Sequence, residues 1–129
     1  MTKMFIYNKV PIPASRPRVT KRGTYTAEPY NSYKKAMSLW AKQNFKPLDG
    51  AVSLHVYFYM PIPKSLSKKK KEAINGGWHI KRPDADNLVK AVKDALNGYA
   101  YHDDSQVSVL FTQKKYSAAP RTEIVIATI

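Results

Sequence analysis

KRPDADNLVKAVKDALNGYAYHDDSQV, Lys81–Val107, is the stretch on which the fold turns. Within it Leu88, Val92, Ala95 and Leu96 recur at three- and four-residue spacing, which places them on one stripe of a helix. Gly98 supplies a stop, because glycine takes the left-handed conformation that ends helices without a Cβ penalty. The helix expected over DADNLVKAVKDALNG is therefore amphipathic, and its stripe must lie against something. The sequence beyond it, SQVSVLFTQKKY and RTEIVIATI, is rich in β-branched and aromatic residues and reads as two strands joined as a hairpin through SAAP. A helix with one apolar stripe, next to strands of this kind, is the working unit of an α+β domain.

The rest of the chain fits that class. MFIYNKVPIP reads as a strand ended by prolines, and ASRPRVTKRGTYTAEP as a loop. In YNSYKKAMSLWAKQNF, Tyr33, Met37, Trp40 and Ala41 fall at helical spacing. VSLHVYFYM is a strand, PIPKS a breaker, LSKKKKEAIN a short basic helix with Ser67 as its N-cap, and NGGWHIKRP a loop. The expected order is β-α-β-α-α-β-β: one domain over residues 1–129, a four-stranded mixed sheet packed with two to three helices. A chain of 129 residues has room for one modest core. Its expected core and sheet-face residues are Tyr7, Val10, Val52, Leu54, Val56, Phe58, Val107, Val109, Phe111, Ile124 and Ile126. Trp40 belongs to the core, while Trp78, in a loop, is open between an interface and a stacking role.

Charge is distributed unevenly. The chain has nine acidic residues against twenty-two Lys and Arg, a net charge of +13. Five of the nine acids, Asp84, Asp86, Asp94, Asp103 and Asp104, fall in the opening stretch. Residues 81–104 alone are net −1, which leaves +14 on the remainder. A surface so biased repels itself and attracts polyanions, nucleic acid before anionic membrane. With no cysteine there is neither disulfide nor thiolate metal site, which suits a reducing cytosol. No apolar run is long enough for a signal peptide or a membrane span, so a cytoplasmic, non-membrane protein is expected.

The gathered carboxylates need an explanation in so basic a chain. Asp86 and Lys90, four residues apart, share the helix face opposite the apolar stripe, and Lys93 and Asn97 continue it. Asp84 sits at or just before the first turn. Asp103 and Asp104 follow the helix, where a returning chain can bring one of them to Asp84 and Asp86. Three clustered carboxylates repel one another, and Mg²⁺ or Mn²⁺ relieves this, since both prefer carboxylate oxygens and keep several waters. Such an ion can polarise a phosphodiester and lower the pKa of bound water, and a nearby lysine can anchor phosphate. Each residue also has a plainer reading. Asp84 can be an N-cap, Asp86–Lys90 a helix ion pair, and Asp103–Asp104 a turn. His102 reads as a solvated turn histidine before a metal ligand or base, Asn87 as a partner of the helix start or of a carboxylate, and Asp94 as a bystander beside Lys90 and Lys93.

The pattern D-x-D-N-L-x-K, a helix ending near glycine, then an aromatic, D-D and Q-V, resembles the signature of the RusA-type Holliday junction resolvases. These are small endodeoxyribonucleases of bacteria and their phages. The resemblance covers residues 82–107 closely and extends more loosely through strand order and the RPR...GTYT loop. It implies a homodimeric, Mg²⁺-dependent enzyme that resolves four-way DNA junctions by paired nicks in recombination and repair, in a bacterial cell, with the gene carried by the host or by a phage or prophage. By position it implies Asp84, Asp86 and Asp104 as metal-binding residues and Lys90 as the catalytic lysine, with Asp103 the lesser member of its pair. The flanking GYAYH departs from the pattern, so His102 inherits no role. Two rivals are a nuclease of the same fold acting on other branched DNA and a non-catalytic basic DNA-binding protein.

The expected DNA-binding residues are Arg16, Arg18, Lys21, Arg22 and Tyr25, interleaved with threonines in one loop; cations suit phosphates and a Tyr ring can stack on a base. Lys68 and Lys69 open a basic run that is either a solvated helix face or a second track for DNA. Lys114, Lys115 and Arg121 are weaker candidates.

Overall fold

The structure, a computed structural model, describes residues 3–25 and 27–129; the side chains of Arg18 and Tyr25 lie outside the described set. The elements are β1 (Lys3–Tyr7), β2 (Arg18–Thr20), β3 (Gly23–Tyr25), α1 (Tyr30–Asn44), β4 (Val52–Pro61), α2 (Lys68–Ile74), α3 (Ala85–Leu96), a 3-10 turn (Asp104–Gln106), β5 (Val107–Ser117) and β6 (Arg121–Thr128). The result is the expected single α+β domain with a four-stranded mixed sheet. No helix of the described residues is long and apolar enough to cross a membrane.

The strand order is β1-β6-β4-β5, with β4 antiparallel to β6 and parallel to β5. This corrects the expected hairpin. β5 and β6 do not pair, because β4 lies between them. β4 buries every second residue, Val52, Leu54, Val56, Phe58 and Met60, and a strand this apolar is stabilised most when flanked on both sides. It ends at Pro61, opposite Ser117, and the short connection after β5 passes over that end to begin β6 beside Tyr59.

Helices α1 and α3 cover one face of the sheet. α1 buries Tyr30, Tyr33, Met37 and Ala41; α3 buries Leu88, Val89, Ala91, Val92, Ala95 and Leu96, which includes the whole expected stripe. Tyr7, the even-numbered β4 residues, Ile124 and Ile126 complete the core. Trp40 packs against its edge, with its ring 5.0 Å from Tyr7 and 6.4 Å from Phe5. Val107 is half-buried against the core. Three expected core or sheet-face positions are exposed: Val10 by 46%, Val109 by 45% and Phe111 by 42%. Val10 lies past the end of β1. Val109 and Phe111 pair with Ser53 and His55 on the face that carries no helix.

The loop over residues 14–29 also contains more order than expected. β2 and β3 form a small hairpin, turning at Lys21–Arg22, and Gly23 takes φ 125°, which only glycine adopts without strain. Thr20 closes the turn: its hydroxyl donates to the Gly23 carbonyl (3.1 Å) and accepts from the Arg22 N–H (3.2 Å). A three-residue strand is too short for alternation to show in the sequence.

Candidate active site

Asp84 occupies the N-cap position of α3, but its side chain accepts no capping bond. Asp86 does not pair with Lys90. The Lys90 ammonium turns the other way along the helix and donates to Asp94 (3.2 Å). The ion-pair reading therefore fails, while Asp84 holds the N-cap position without making the capping bond. Among the described residues Asp84, Asp86 and Asp104 have neither a side-chain hydrogen bond nor an ion pair. Asp84 and Asp86 lie at a helix N-terminus, where the backbone dipole favours negative charge.

Asp103 and Asp104 separate cleanly. Asp103 caps the 3-10 turn: its carboxylate accepts from the Ser105 N–H (3.0 Å), and hydrogen bonding from Ser105, its side chain first and then its N–H, holds the Asp103 pKa below the usual value. Its charge is thus engaged locally, and its plain reading is the correct one. Asp104, in the first turn beyond it, is half-buried and unengaged among the described residues.

The turn is held by Gln106, a side chain whose part in the Q-V pattern carries no role on its face. Gln106 accepts from the backbone N–H groups of His102 (2.7 Å) and Asp103 (2.9 Å) and donates to the carbonyls of Leu48 (2.8 Å) and Gly50 (2.9 Å). It clamps the Asp104 segment to the loop before β4. His102 faces away, pairing with Asp49 (2.7 Å) at the surface.

Three neighbouring cavities define the site. Asp86 and Asp104 face the first, with Lys90, Lys93, Asp94 and Leu110. Lys90 and Asp94 also line the second, together with Asn87, Arg16, Tyr30 and Lys34. The third holds Asp84 with Asn87, His79 and Arg82. Helix α3 thus runs through the middle, with shared side chains linking acidic and basic walls. The turn after α3 brings Asp104 to Asp86, in keeping with their spacing. Asp84 lies in the adjoining cavity, and among the described residues no three His, Cys, Asp or Glu side chains converge on one point. Buried Tyr101 registers the local field: burial first, then the charges of Asp104, Asp94 and Asp103, push its pKa up.

Of the expected DNA-binding residues, Arg16 reaches these cavities. Its segment is stitched to α3 by the Ala14 N–H on the Asn87 carbonyl (2.9 Å). Lys21 and Arg22 are exposed at the hairpin tip, while the Arg18 and Tyr25 side chains lie outside the described residues. Lys68 and Lys69 are exposed on α2, which lines none of the three cavities. Lys114 is not free for DNA: its ammonium donates to the carbonyls of Lys81 and Pro83, fixing the chain that leads into Asp84. Lys115 lies over the exposed Trp78 ring (4.5 Å), and Arg121 stacks on Tyr59 (3.9 Å) while bonding Glu123 (2.7 Å).

Comparison with known proteins meets this arrangement from outside. Residues 9–127 match the model of the family described as endodeoxyribonuclease RusA. The chain is also 41% identical over 138 residues to an "Uncharacterized protein YqaN" of Bacillus subtilis (strain 168), covering 98% of this chain and 96% of that protein. A match across both the acidic helix and the sheet that carries it leaves little of the domain outside the correspondence. The chain belongs to the RusA family of endodeoxyribonucleases, Holliday junction resolvases that act on branched DNA.

Proposed function

We propose that the protein is a Mg²⁺-dependent, structure-selective endonuclease that resolves four-way junctions by paired symmetric nicks, in DNA recombination and repair. The observation that carries this reading is the cleft in which Asp86 and Asp104 meet Lys90, on a chain otherwise strongly basic.

The donor set fits the ion. Mg²⁺ is commonly held by one or two carboxylates, with water and substrate phosphate filling the remaining positions. Asp86 and Asp104 would hold it, with Asp84 the further carboxylate beside them. Mn²⁺ is the natural substitute, taking the same oxygen donors. When bound, the ion would polarise the scissile phosphodiester and make its water more acidic. Lys90 would hold a non-bridging phosphate oxygen and offset the charge that develops on it. Arg16, Lys34, Lys21 and Arg22 would carry the phosphates of the arms, and Arg18, Tyr25, Lys68 and Lys69 are proposed as further contacts. Asn87 would steady the first turn of α3 from beside Asp84.

Two symmetric cuts call for two identical sites, which a C2 homodimer supplies. The uncovered sheet face supports this. Met4, Val125, Ser53, His55, Val109 and Phe111 carry no formal charge, and Glu123, beside Tyr57 on this face, is bonded to Arg121, so two chains of +13 can approach here. Phe111→Glu should give a monomer by light scattering if that face is the contact. The proposed setting is the cytoplasm of a bacterial cell, with the gene carried by the host or by a phage or prophage; the Bacillus relative supports a bacterial context.

The test is cleavage of a synthetic four-way junction, with and without Mg²⁺, mapped at nucleotide resolution beside flap and duplex substrates. Asp84→Asn, Asp86→Asn and Asp104→Asn should each abolish nicking and preserve junction binding in EDTA. Asp103→Asn should cost less than Asp104→Asn. Nicking of flaps in preference to junctions would favour the branched-DNA rival. Binding without metal-dependent nicking would leave a DNA-binding protein.

A further inference from the structure

We propose that Asp94, held by the hydroxyl of Tyr30, is the positioning residue for Lys90, an inference that rests on the function proposed above. Sequence spacing alone shows Lys90 and Asp94 as an ordinary i,i+4 pair, of the kind that fluctuates on a helix surface. The structure adds a third member from another element. The Tyr30 hydroxyl, carried by α1, donates to Asp94 Oδ2 (3.0 Å), the same oxygen that receives the Lys90 ammonium (3.2 Å).

The two ends of this chain of bonds differ in exposure: the Lys90 side chain is 63% exposed. Tyr30 is 4% exposed, and the Asp94 side chain is 23% exposed. Burial and the adjoining carboxylate hold the Tyr30 hydroxyl protonated, so it remains a donor. Asp94 is thereby anchored from the protein side, and it presents a fixed negative charge to a lysine that is otherwise open to solvent. A lysine ammonium has three donors on a flexible stem. Asp94 takes one of them and leaves two directed at the cavities that Lys90 and Asp94 both line. In a protein that binds a polyanion, a carboxylate here opposes substrate binding. Its contribution is orientation: a preplaced cation avoids the loss of freedom on reaching the transition state.

The test combines kinetics with a readout independent of nuclease activity. Asp94→Asn keeps an oxygen acceptor for Tyr30 and removes the charge. Its kcat on a four-way junction should fall at least tenfold while junction affinity stays within twofold or tightens. Asp94→Glu should recover part of the rate. Tyr30→Phe, which deletes only the donor, should lower kcat at least threefold without weakening binding. Because Asp94 acts through Lys90, the Lys90→Ala/Asp94→Asn double variant should be no slower than Lys90→Ala alone. Multiplying losses, or an unchanged kcat in Asp94→Asn, would overturn the proposal. In parallel, acylation of Lys90 by a succinimidyl ester, followed by peptide mass spectrometry, should be at least twofold faster in Asp94→Asn and Tyr30→Phe. Unchanged acylation would overturn the positioning role even if the wild type cleaves no branched DNA, an outcome that would separately refute the function proposed above.

Discussion

Gln106→Glu is an exchange of one atom type with a large expected effect. The Gln106 amide makes four hydrogen bonds, two as acceptor and two as donor. Glutamate preserves the acceptor oxygen for the His102 and Asp103 N–H groups. It replaces the NH₂ with a second oxygen that faces the carbonyls of Leu48 and Gly50. Each neutral hydrogen bond is worth about 0.5–1.5 kcal/mol net, so loss of both donor bonds costs about 1–3 kcal/mol. Repulsion between the carboxylate and two carbonyls adds to this, and partial exposure limits the addition. A total of about 2–3 kcal/mol corresponds to a fall in Tm of roughly 10 °C for a domain of this size. Thermal and urea unfolding followed by circular dichroism measure it. Gln106→Ala, which loses all four bonds but brings no repulsion, should cost about 2–6 kcal/mol on the same scale and so be at least as destabilising as Gln106→Glu. Acid should partly rescue Gln106→Glu, because a protonated carboxyl donates again. Cleavage should fall in both variants at temperatures where they are fully folded, since the clamp holds the turn that carries Asp104. Wild-type stability in Gln106→Glu, or full cleavage with the clamp removed, would refute this reasoning.

Replacing Arg16, Lys21 and Arg22 together by Ala should weaken junction binding and make the slope of log K against log salt shallower by about 0.9 for each phosphate that is no longer neutralised; a fluorescence titration at several salt concentrations reads it. Leu96→Ala removes a fully buried side chain from the middle of the core and should cost about 2–5 kcal/mol in urea unfolding. His79 has its pKa lowered by burial, then by the charges of Lys114 and Lys81. The unfolded chain therefore takes up its proton first as pH falls, and stability drops once pH passes the ordinary value near 6.5 and keeps dropping until the lowered folded value is passed; His79→Gln should lose less stability than wild type over that fall in pH.

Local pattern and long-range pairing differed in legibility. The α3 stripe, the Ser67 cap and the alternation of β4 are governed by neighbours three, four or two positions away, and each is present in the structure. Pairing of β6 with β4 rather than β5 depends on which strand is buried on both edges, and no short window contains that information. The same division runs through the site. Asp104 returning to Asp86 follows from a short turn after the helix. The bond from Tyr30 to Asp94 joins residues 64 apart, so Asp94 reads from sequence only as a neighbour of Lys90. Lys114 reads as a surface cation because its charge is visible in the sequence and its two carbonyl partners are not. Gln106 stands inside the D-D and Q-V pattern, but its four partners come from two separate segments.

The position of β6 bears on how such a protein comes into being. Lys3 pairs with Ile126, while Leu54 pairs with that same Ile126 from the opposite side. An emerging chain therefore displays Asp84, Asp86, Lys90 and Asp104 to the ribosome's surroundings before the strand that unites its sheet has been made. Contacts between sequence-distant segments are the slow ones to form, and β1 has no sheet partner until β6 arrives. During that interval the basic segments can already meet nucleic acid electrostatically, whereas α3 lacks the finished surface on which its apolar stripe rests. Insertion of β6 thus completes the sheet, and the proposed site gains its finished support only once the residues up to Thr128 have been made.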